Sequence, residues 1–383
     1  MSRKPIIYLE AMVFAPEHMS GIGHATLEIA KELMKQQKTS GAFTLRLIVP
    51  FNKVNSVLAK FEDDKPEIKK LWLLPRMIEL LMRINLLPPV DLFIGKGVYV
   101  FPNYRNWPVR RSKSQSITYV HDVSFKLHPE FVSPKNRNYL NKYVQRWMKR
   151  TDRVITLAEQ VRSEILANYQ VPENKIVVIY DGVDTGSFKR KDTGEIERVK
   201  NKYSLNANKY VLFVGNKEPR KNLQRLIRAF TKLDPDLKNE YALILVGAGS
   251  WLSEGIDNAV LEARANGVQV LFPDRFVDDV DLPALYSGAK LFAFVPIYEG
   301  FGIPPLEALA CGTSVLASDI PVLREVLKDE VEYCNPEDEQ SITDGLRIGL
   351  RKHQPIYLNT KFLDQYSWKN SATELLSVVT NLD

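Results

Sequence analysis

Cys311 and Cys334 are the two cysteines in 383 residues, too few for a disulfide framework or a thiolate zinc cluster. No uninterrupted apolar run reaches about 18 residues, so the sequence offers no membrane-spanning helix. Ser2-Arg3-Lys4-Pro5 leads straight into Ile6-Ile7-Tyr8-Leu9, which is too short for a signal core and has no small-residue cleavage site. Repeats and low-complexity tracts are also absent. These absences argue against a disulfide-stapled secreted domain, an integral membrane protein and a solenoid, and the chain is expected in the cytoplasm. What is present is an ordinary globular composition, 45% hydrophobic and 26% charged, at a length that suits two domains with a core each.

The net charge of +6 conceals an asymmetry. Residues 1–190 hold 30 Lys and Arg against 18 Asp and Glu, a net of +12, which leaves −6 for the remainder. A basic first half suggests contact with something anionic: a membrane surface, a lipid diphosphate or nucleic acid. No recognition motif supports nucleic acid.

Short apolar runs alternate with helical periodicity about every thirty residues, as βαβ units do. Strands are expected at Ile6–Phe14, Thr44–Val49, Leu92–Gly95, Ser116–Val120, Arg153–Leu157 and Lys175–Ile179. A second set is expected at Tyr210–Val214, Ala242–Val246, Val268–Phe272, Leu291–Val295 and Val315–Ala317. The fold class is therefore α/β, with two parallel-sheet domains at 1–188 and 189–365. The linker falls at Asp181–Asp192, where Gly182, Gly186 and Lys189-Arg190-Lys191 interrupt the pattern. Residues 366–383 contain a capped amphipathic helix with Ala372, Leu375, Leu376 and Val379 on one face. Residues 68–90 contain an apolar helix interspersed with Lys69, Lys70, Arg76 and Arg83, which suits packing on the first sheet or contact with anionic lipid. Tyr139, Tyr143 and Trp147 recur at helical spacing and suit core packing.

The chemistry concentrates at Glu299-Gly300-Phe301-Gly302-Ile303-Pro304-Pro305-Leu306-Glu307. Glycines let a ligand approach the main chain, and the prolines suit the first turn of a helix, whose unpaired N–H groups favour a phosphate. Glu299 and Glu307 repel phosphate but accept hydrogen bonds from sugar and ribose hydroxyls. Upstream, the strand Tyr210–Val214 runs into Gly215-Asn216-Lys217-Glu218-Pro219-Arg220-Lys221. That places two cations at a strand's carboxyl end, where open α/β sheets bind ligands and where they neutralise a diphosphate. Gly21-Ile22-Gly23 follows the first strand but does not complete a dinucleotide fingerprint, and a tight turn explains it equally well. His121 ends a strand, either facing a cleft or satisfied by backbone groups. The acidic cluster Asp278, Asp279 and Asp281 precedes Leu282-Pro283 and suits helix capping better than a metal.

The Arg-Lys pair after a strand and glycine, the E-x7-E arrangement and Leu285-Tyr286-Ser287-Gly288-Ala289 together resemble the retaining glycosyltransferases of family 4. The likeness extends through Gly21-Ile22-Gly23, Tyr119-Val120-His121-Asp122 and Ser367-Trp368. It implies the GT-B fold, two facing Rossmann-like domains with the last helix crossing back to the first. It also implies a nucleoside-diphosphate sugar as donor, with no metal and no other cofactor. The catalytic set by resemblance is His121, Arg220, Lys221 and Glu299. Donor contacts fall to Gly21, Gly23, Gly215, Asn216, Phe276, Val277, Gly300, Phe301, Gly302, Ile303 and Glu307. GDP-mannose is the first donor expected, with UDP-sugars next. The acceptor expected is a glycan or lipid-diphosphate-linked chain at the cytoplasmic face of a membrane. The sequence departs from the family where Val295-Pro296-Ile297 replaces a Pro-Ser pair ahead of Tyr298-Glu299, which removes one family contact, and Cys334 stands where relatives have small residues. A sugar-nucleotide epimerase of similar fold would need a base, and none is evident. A silent subunit of a transferase complex need not keep Arg220, Lys221, Glu299 and Glu307.

Overall fold

The computed structural model describes residues 4–61, 64–84, 86–247, 254–352 and 359–382. The opening residues 1–3 and Asn85, within the expected 68–90 helix, lie outside the described residues. The chain forms two compact units. The first takes residues up to Leu127, Ser133–Gly182 and the segment from Ser367 onward; the second takes His128–Val132 and Val183–Tyr366.

The first unit is built on β1 (Ile6–Glu10), β2 (Thr44–Pro50), β3 (Ile68–Leu71), β4 (Val98–Phe101), β5 (Gln115–Tyr119), β6 (Arg153–Thr156) and β7 (Ile176–Val178). Their order is β3-β2-β1-β4-β5-β6-β7, all parallel. All four residues of β4 are buried, as expected of a central parallel strand covered on both faces.

Three expectations need correction here. β1 stops at Glu10, because the Glu10 carboxylate accepts the Met12 N–H at 2.6 Å and turns the chain into a short 3-10 helix, Met12–Phe14. Leu92–Gly95 is not a strand. Gly95 has φ +122 and ends the turn, and the strand follows at Val98, after Gly97 passes so close to β1 that a Cβ would lie 2.5 Å from the Ile6 carbonyl oxygen. The apolar 68–90 segment divides into β3 and the helix Pro75–Arg83, since proline takes a helix's first position and not its interior.

The second unit carries β8 (Tyr210–Val214), β9 (Ala242–Val246), β10 (Val270–Leu271), β11 (Leu291–Phe294), β12 (Val315–Ser318) and β13 (Glu332–Cys334). The order β10-β9-β8-β11-β12-β13, again all parallel, repeats the doubly wound pattern. The edge strand β13 was not expected, and it gives Cys334 its place: buried at the sheet edge, with Sγ 3.6 Å from the Ala317 carbonyl oxygen. The acidic cluster does not cap a helix. Asp281 is buried and receives Lys202 Nζ at 2.6 Å, Arg198 Nη2 at 2.8 Å and the Tyr203 hydroxyl at 2.8 Å, tying the helix Thr193–Lys202 to the helix Leu282–Gly288.

The last helix, Trp368–Thr380, is capped by Ser367 Oγ, which accepts the Asn370 N–H. It buries Trp368, Ala372, Leu375 and Val379, leaves Leu376 half-buried, and lies against the helix Gly21–Ser40, where Gln36 Nε2 donates to Thr373 Oγ1 at 3.1 Å. Ser371 Oγ donates to the Tyr180 carbonyl at 2.6 Å beside Gly182, where a Cβ would sit 2.3 Å from the Trp368 nitrogen. Gly182→Ala should therefore destabilise the protein by about 1–3 kcal/mol. The urea midpoint measures it, with Gly186→Ala, whose Cβ would approach only the Asp184 carboxylate at 3.1 Å, as a control expected to change it little.

Candidate active site

In a doubly wound sheet, the loops leaving the strands on either side of the order reversal diverge and open a crevice. In the second unit the reversal lies between β8 and β11. Gly215 to Asn222 follow β8 and Pro296 to Gly302 follow β11, so the topology brings the basic pair and the Glu-Gly-Phe-Gly segment to one place. Ile297 N donates to the Arg220 carbonyl at 2.8 Å and joins the two loops directly.

Side chains complete the junction. Arg220 Nη1 donates to Glu299 Oε1 at 2.9 Å, and Lys221 Nζ donates to Glu299 Oε2 at 2.5 Å. Arg220 Nε also donates to Glu218 Oε2 at 2.8 Å, and Lys221 Nζ lies 4.9 Å from the Phe294 ring centroid. About a tenth of the Lys221 and Glu299 side chains is exposed. Burial alone would raise the Glu299 carboxyl, but the charges and hydrogen bonds of Arg220 and Lys221 outweigh it and hold the pKa at about 2. Burial lowers the Lys221 ammonium, as does Arg220, while Glu299 opposes the shift. At neutral pH Glu299 is ionised and held between Arg220 and Lys221.

Backbone conformation gives the glycines their reasons. Gly302 has φ +100 and precedes the helix Ile303–Ala310, and a Cβ there would meet Leu323 Cδ2 at 2.8 Å and Glu299 Cγ at 3.9 Å. Gly215 has φ +151, and its Cβ would touch the Phe213 ring at 3.2 Å and Lys221 Cε at 4.0 Å. The helix start is a leaner anion site than four free donors would make: Pro304 and Pro305 carry no N–H, which leaves those of Ile303 and Leu306 in the first turn.

Other expected residues fall differently. Phe301 is 3% exposed with its ring against Tyr366, so only its backbone is available to a donor. Gly300 and Val277 are buried, Phe276 is exposed, and Asn216 accepts the Glu218 N–H through its carbonyl. Glu307 accepts the Tyr286 hydroxyl at 2.8 Å. Its carboxyl is raised to about 7, chiefly by burial, with Tyr286 opposing and the Asp279 charge adding. Tyr286 belongs to a segment singled out in the sequence, but its role as the holder of Glu307 needed the fold.

Asn222 and Gly247 escaped sequence reasoning. Asn222 adopts φ +60, and its Nδ2 donates to the Val295 carbonyl at 3.0 Å and the Pro336 carbonyl at 2.7 Å, fixing the basic loop to the end of β11. Its position directly after Arg220-Lys221 was the available signal. Gly247, after β9, has φ +149 and passes so near Gly215 that a Cβ would lie 1.9 Å from the Gly215 carbonyl oxygen. A glycine directly after an all-buried strand was the signal there.

Gly21, Gly23 and His121 lie in the first unit, whose order reversal is between β1 and β4. Gly21 opens the helix Gly21–Ser40, and a Cβ there would meet nothing within 4 Å. Gly23 serves packing: its N–H is bound by the Ser20 cap at 3.4 Å, and a Cβ would lie 2.7 Å from the Val13 carbonyl oxygen. His121 Nε2 is 2.6 Å from the Pro102 carbonyl oxygen. Burial lowers its pKa, opposed by that bond and by Asp122, so the neutral imidazole donates from Nε2. Among the described residues, no three His, Cys, Asp or Glu side chains gather as a metal site.

Two family models match the chain, Glycosyltransferase Family 4 over residues 19–187 and Glycosyl transferases group 1 over residues 195–354. The O-antigen chain mannosyltransferase B of Escherichia coli is 30% identical over 269 residues, 69% of each chain. This chain belongs to glycosyltransferase family 4. The O-antigen chain mannosyltransferase RfbU of Salmonella typhimurium is 32% identical over 67% of each chain. The serotype-specific mannosyltransferase WbdA of Escherichia coli is 30% identical over 64% of this chain but only 30% of its own length. Among solved structures, Anabaena HepE in complex with UDP and glucose superimposes with TM-score 0.72 at 16% identity, over 99% of this chain and 100% of that one. WaaG, a glycosyltransferase involved in lipopolysaccharide biosynthesis, gives 0.69 at 14% identity, over 98% and 100%. The fold of this family 4 glycosyltransferase is accordingly the α/β fold of those GT-B enzymes.

Glu307 supplies a pH test. Its folded pKa of about 7 exceeds the ordinary 4.5, so the folded state binds the proton more tightly and stability falls as pH rises from 4.5 to 7. Glu307→Gln should remove that loss, making the variant more stable relative to wild type at pH 8 than at pH 5, by on the order of 1–3 kcal/mol. Urea midpoints at the two pH values check it. Glu299 works in the opposite sense: its depressed pKa stabilises the fold above 4.5, and that contribution is lost as pH falls through about 2.

Proposed function

We propose that this glycosyltransferase moves a hexose, mannose from GDP-mannose, onto a glycan or lipid-diphosphate-linked acceptor, with retention of anomeric configuration and without a metal. The observation that carries the reading is the buried junction of Arg220, Lys221 and Glu299 at the β8–β11 reversal, beside the open helix start at Gly302. Mannose is favoured because the curated relatives above are named as mannosyltransferases.

In this mechanism the acceptor hydroxyl oxygen bonds to the anomeric carbon on the face from which the bond to the diphosphate breaks. The bonding pair leaves with the diphosphate, whose oxygen takes the acceptor proton. Arg220, Lys221 and the Ile303 amide stabilise that growing charge, a term that is usually the largest in such catalysis. Arg220 and Lys221 already share two carboxylates, so the diphosphate meets cations held in position and not a bare positive surface. Glu299 accepts from sugar hydroxyls and Glu307 from the ribose. Main-chain groups at Phe276 and Val277 meet the base, and neutral His121, whose Nε2–H goes to the Pro102 carbonyl, accepts from a hydroxyl of the transferred sugar at Nδ1. The basic first half meets an anionic membrane surface at its cytoplasmic face, where the acceptor is presented.

The test is a thermal-shift panel with GDP, UDP, dTDP and ADP, with and without magnesium. GDP at about a hundred times its Kd should raise the Tm by several degrees, roughly 2.7 kcal/mol, with no magnesium required. A response to UDP alone would replace mannose by a UDP-sugar, and silence from all four would leave the silent-subunit reading. Arg220→Ala and Lys221→Met should each lower kcat roughly a hundredfold or more. The anomeric configuration of the product, read by NMR, tests retention.

A further inference from the structure

The loop after β8 holds three basic residues, and two of them donate to carboxylates. Arg220 meets Glu218 and Glu299, and Lys221 meets Glu299. Lys217 is half-buried, and among the described residues no carboxylate pairs with it. Its neighbour Glu218 is already taken by Arg220 at 2.8 Å. The Lys217 ammonium stands instead over the ring of half-buried Phe272, 4.1 Å from the centroid. A ring face attracts a cation and fixes its position, but it takes up none of the three N–H groups as an oxygen would. The ammonium therefore keeps donors for a further acceptor.

Lys217 follows β8 and Phe272 follows β10, so both stand at carboxyl ends of strands, where open α/β sheets bind ligands. Between them lies the end of β9, and the chain passes there at Gly247, where a side chain would strike the Gly215 carbonyl oxygen. The β8 loop thus leans over β9 to reach Phe272. With strands about 4.8 Å apart, β10 lies roughly 10 Å from β8. The Arg220, Lys221 and Glu299 junction is on the other flank of β8, toward β11. The segment after β10 returns toward Glu307, since the Asp279 charge is felt there, and Phe276 on that segment is 44% exposed. A nucleotide with its diphosphate at the junction and its ribose at Glu307 therefore sets its base on the β10 side, in the span that Lys217 and Phe276 bound.

An ammonium at that place discriminates between bases. Guanine presents two acceptors side by side, O6 and N7. Adenine sets its N7 beside the N6 amine, a donor that opposes a cation, and thymine or uracil offers O4 alone on that edge. We propose that Lys217, seated over Phe272, reads the O6 and N7 edge of guanine and so selects a GDP-sugar as donor. This deepens the donor reading above and rests on it. It gives guanine a reason in this chain's own residues, independent of how its relatives are named.

The experiment titrates the full chain calorimetrically with GDP, IDP, ADP and UDP, as wild type, Lys217→Met and Lys217→Arg. IDP keeps O6 and N7 but lacks the amino group at C2, so it isolates the edge that Lys217 reads. Wild type should bind GDP and IDP roughly tenfold or more tightly than ADP. Lys217→Met should weaken GDP and IDP by a similar factor, roughly tenfold, and leave ADP little changed. Lys217→Arg keeps the charge and should retain the GDP preference. An unchanged Tm of the nucleotide-free variants shows that they are folded. Wild type that binds ADP or UDP as tightly as GDP overturns the proposal, as does Lys217→Met that keeps the GDP preference. Equal loss for all four nucleotides also overturns it, since Lys217 then serves the diphosphate they share. Each of those results leaves a nucleotide-sugar donor in place, whereas folded wild type that binds none of the four removes the proposed function as well.

Discussion

The second unit is organised around one costly interaction, the nearly buried Glu299 carboxylate shared by Arg220 and Lys221. Burying three charges gains little net stability, because desolvation offsets most of the Coulombic attraction, yet removing one partner typically costs about 3–5 kcal/mol. Such a cluster is poorly explained as a stabilising device. It is well explained as a set of groups held rigid for a charged ligand. Its geometry depends on Asn222 holding a left-handed turn, on the Ile297–Arg220 backbone bond, and on β8 lying next to β11.

The two sheets reach the same strand order by the same rule: each chain segment winds one way from the first strand, then reverses. The reversal forces loops apart at one point, and the chain places its chemistry there. Glycines at 215, 247 and 302 follow from that crowding, since each has a positive φ and each Cβ would press on a neighbour. At Gly247 the obstruction is the Gly215 backbone itself, which cannot move without disturbing the basic loop.

Legibility varied with the kind of constraint. Tyr210–Val214 and Ala242–Val246 were visible to the residue because uninterrupted five-residue apolar runs between turn residues have few alternatives. β13 was not: a three-residue edge strand with a glutamate and a half-buried tyrosine carries no periodic signal. The 68–90 segment misled through composition, since Ile68 and Leu71 flank two lysines in β3 at a spacing that also suits a helix, and Pro75 marks where the helix begins. The acidic cluster misled because capping is a local rule, whereas Asp281 is claimed by Lys202, Arg198 and Tyr203 from another helix. At the site, Arg220, Lys221, Glu299 and Gly302 were all legible as residues, but the direct pairing of Glu299 with both cations was not.

Residue types and short spacings carried the sheet class, the family likeness and the placement of cations, carboxylates and glycines near strand ends, because backbone conformation and loop chemistry are local. The state of each group came only with tertiary structure. Both glutamates of the E-x7-E segment look alike in sequence, yet two cations drive Glu299 down to about 2 while burial beside a tyrosine raises Glu307 to about 7. Desolvation and charge proximity decide that difference, and both depend on which distant residues the fold brings within a few ångströms.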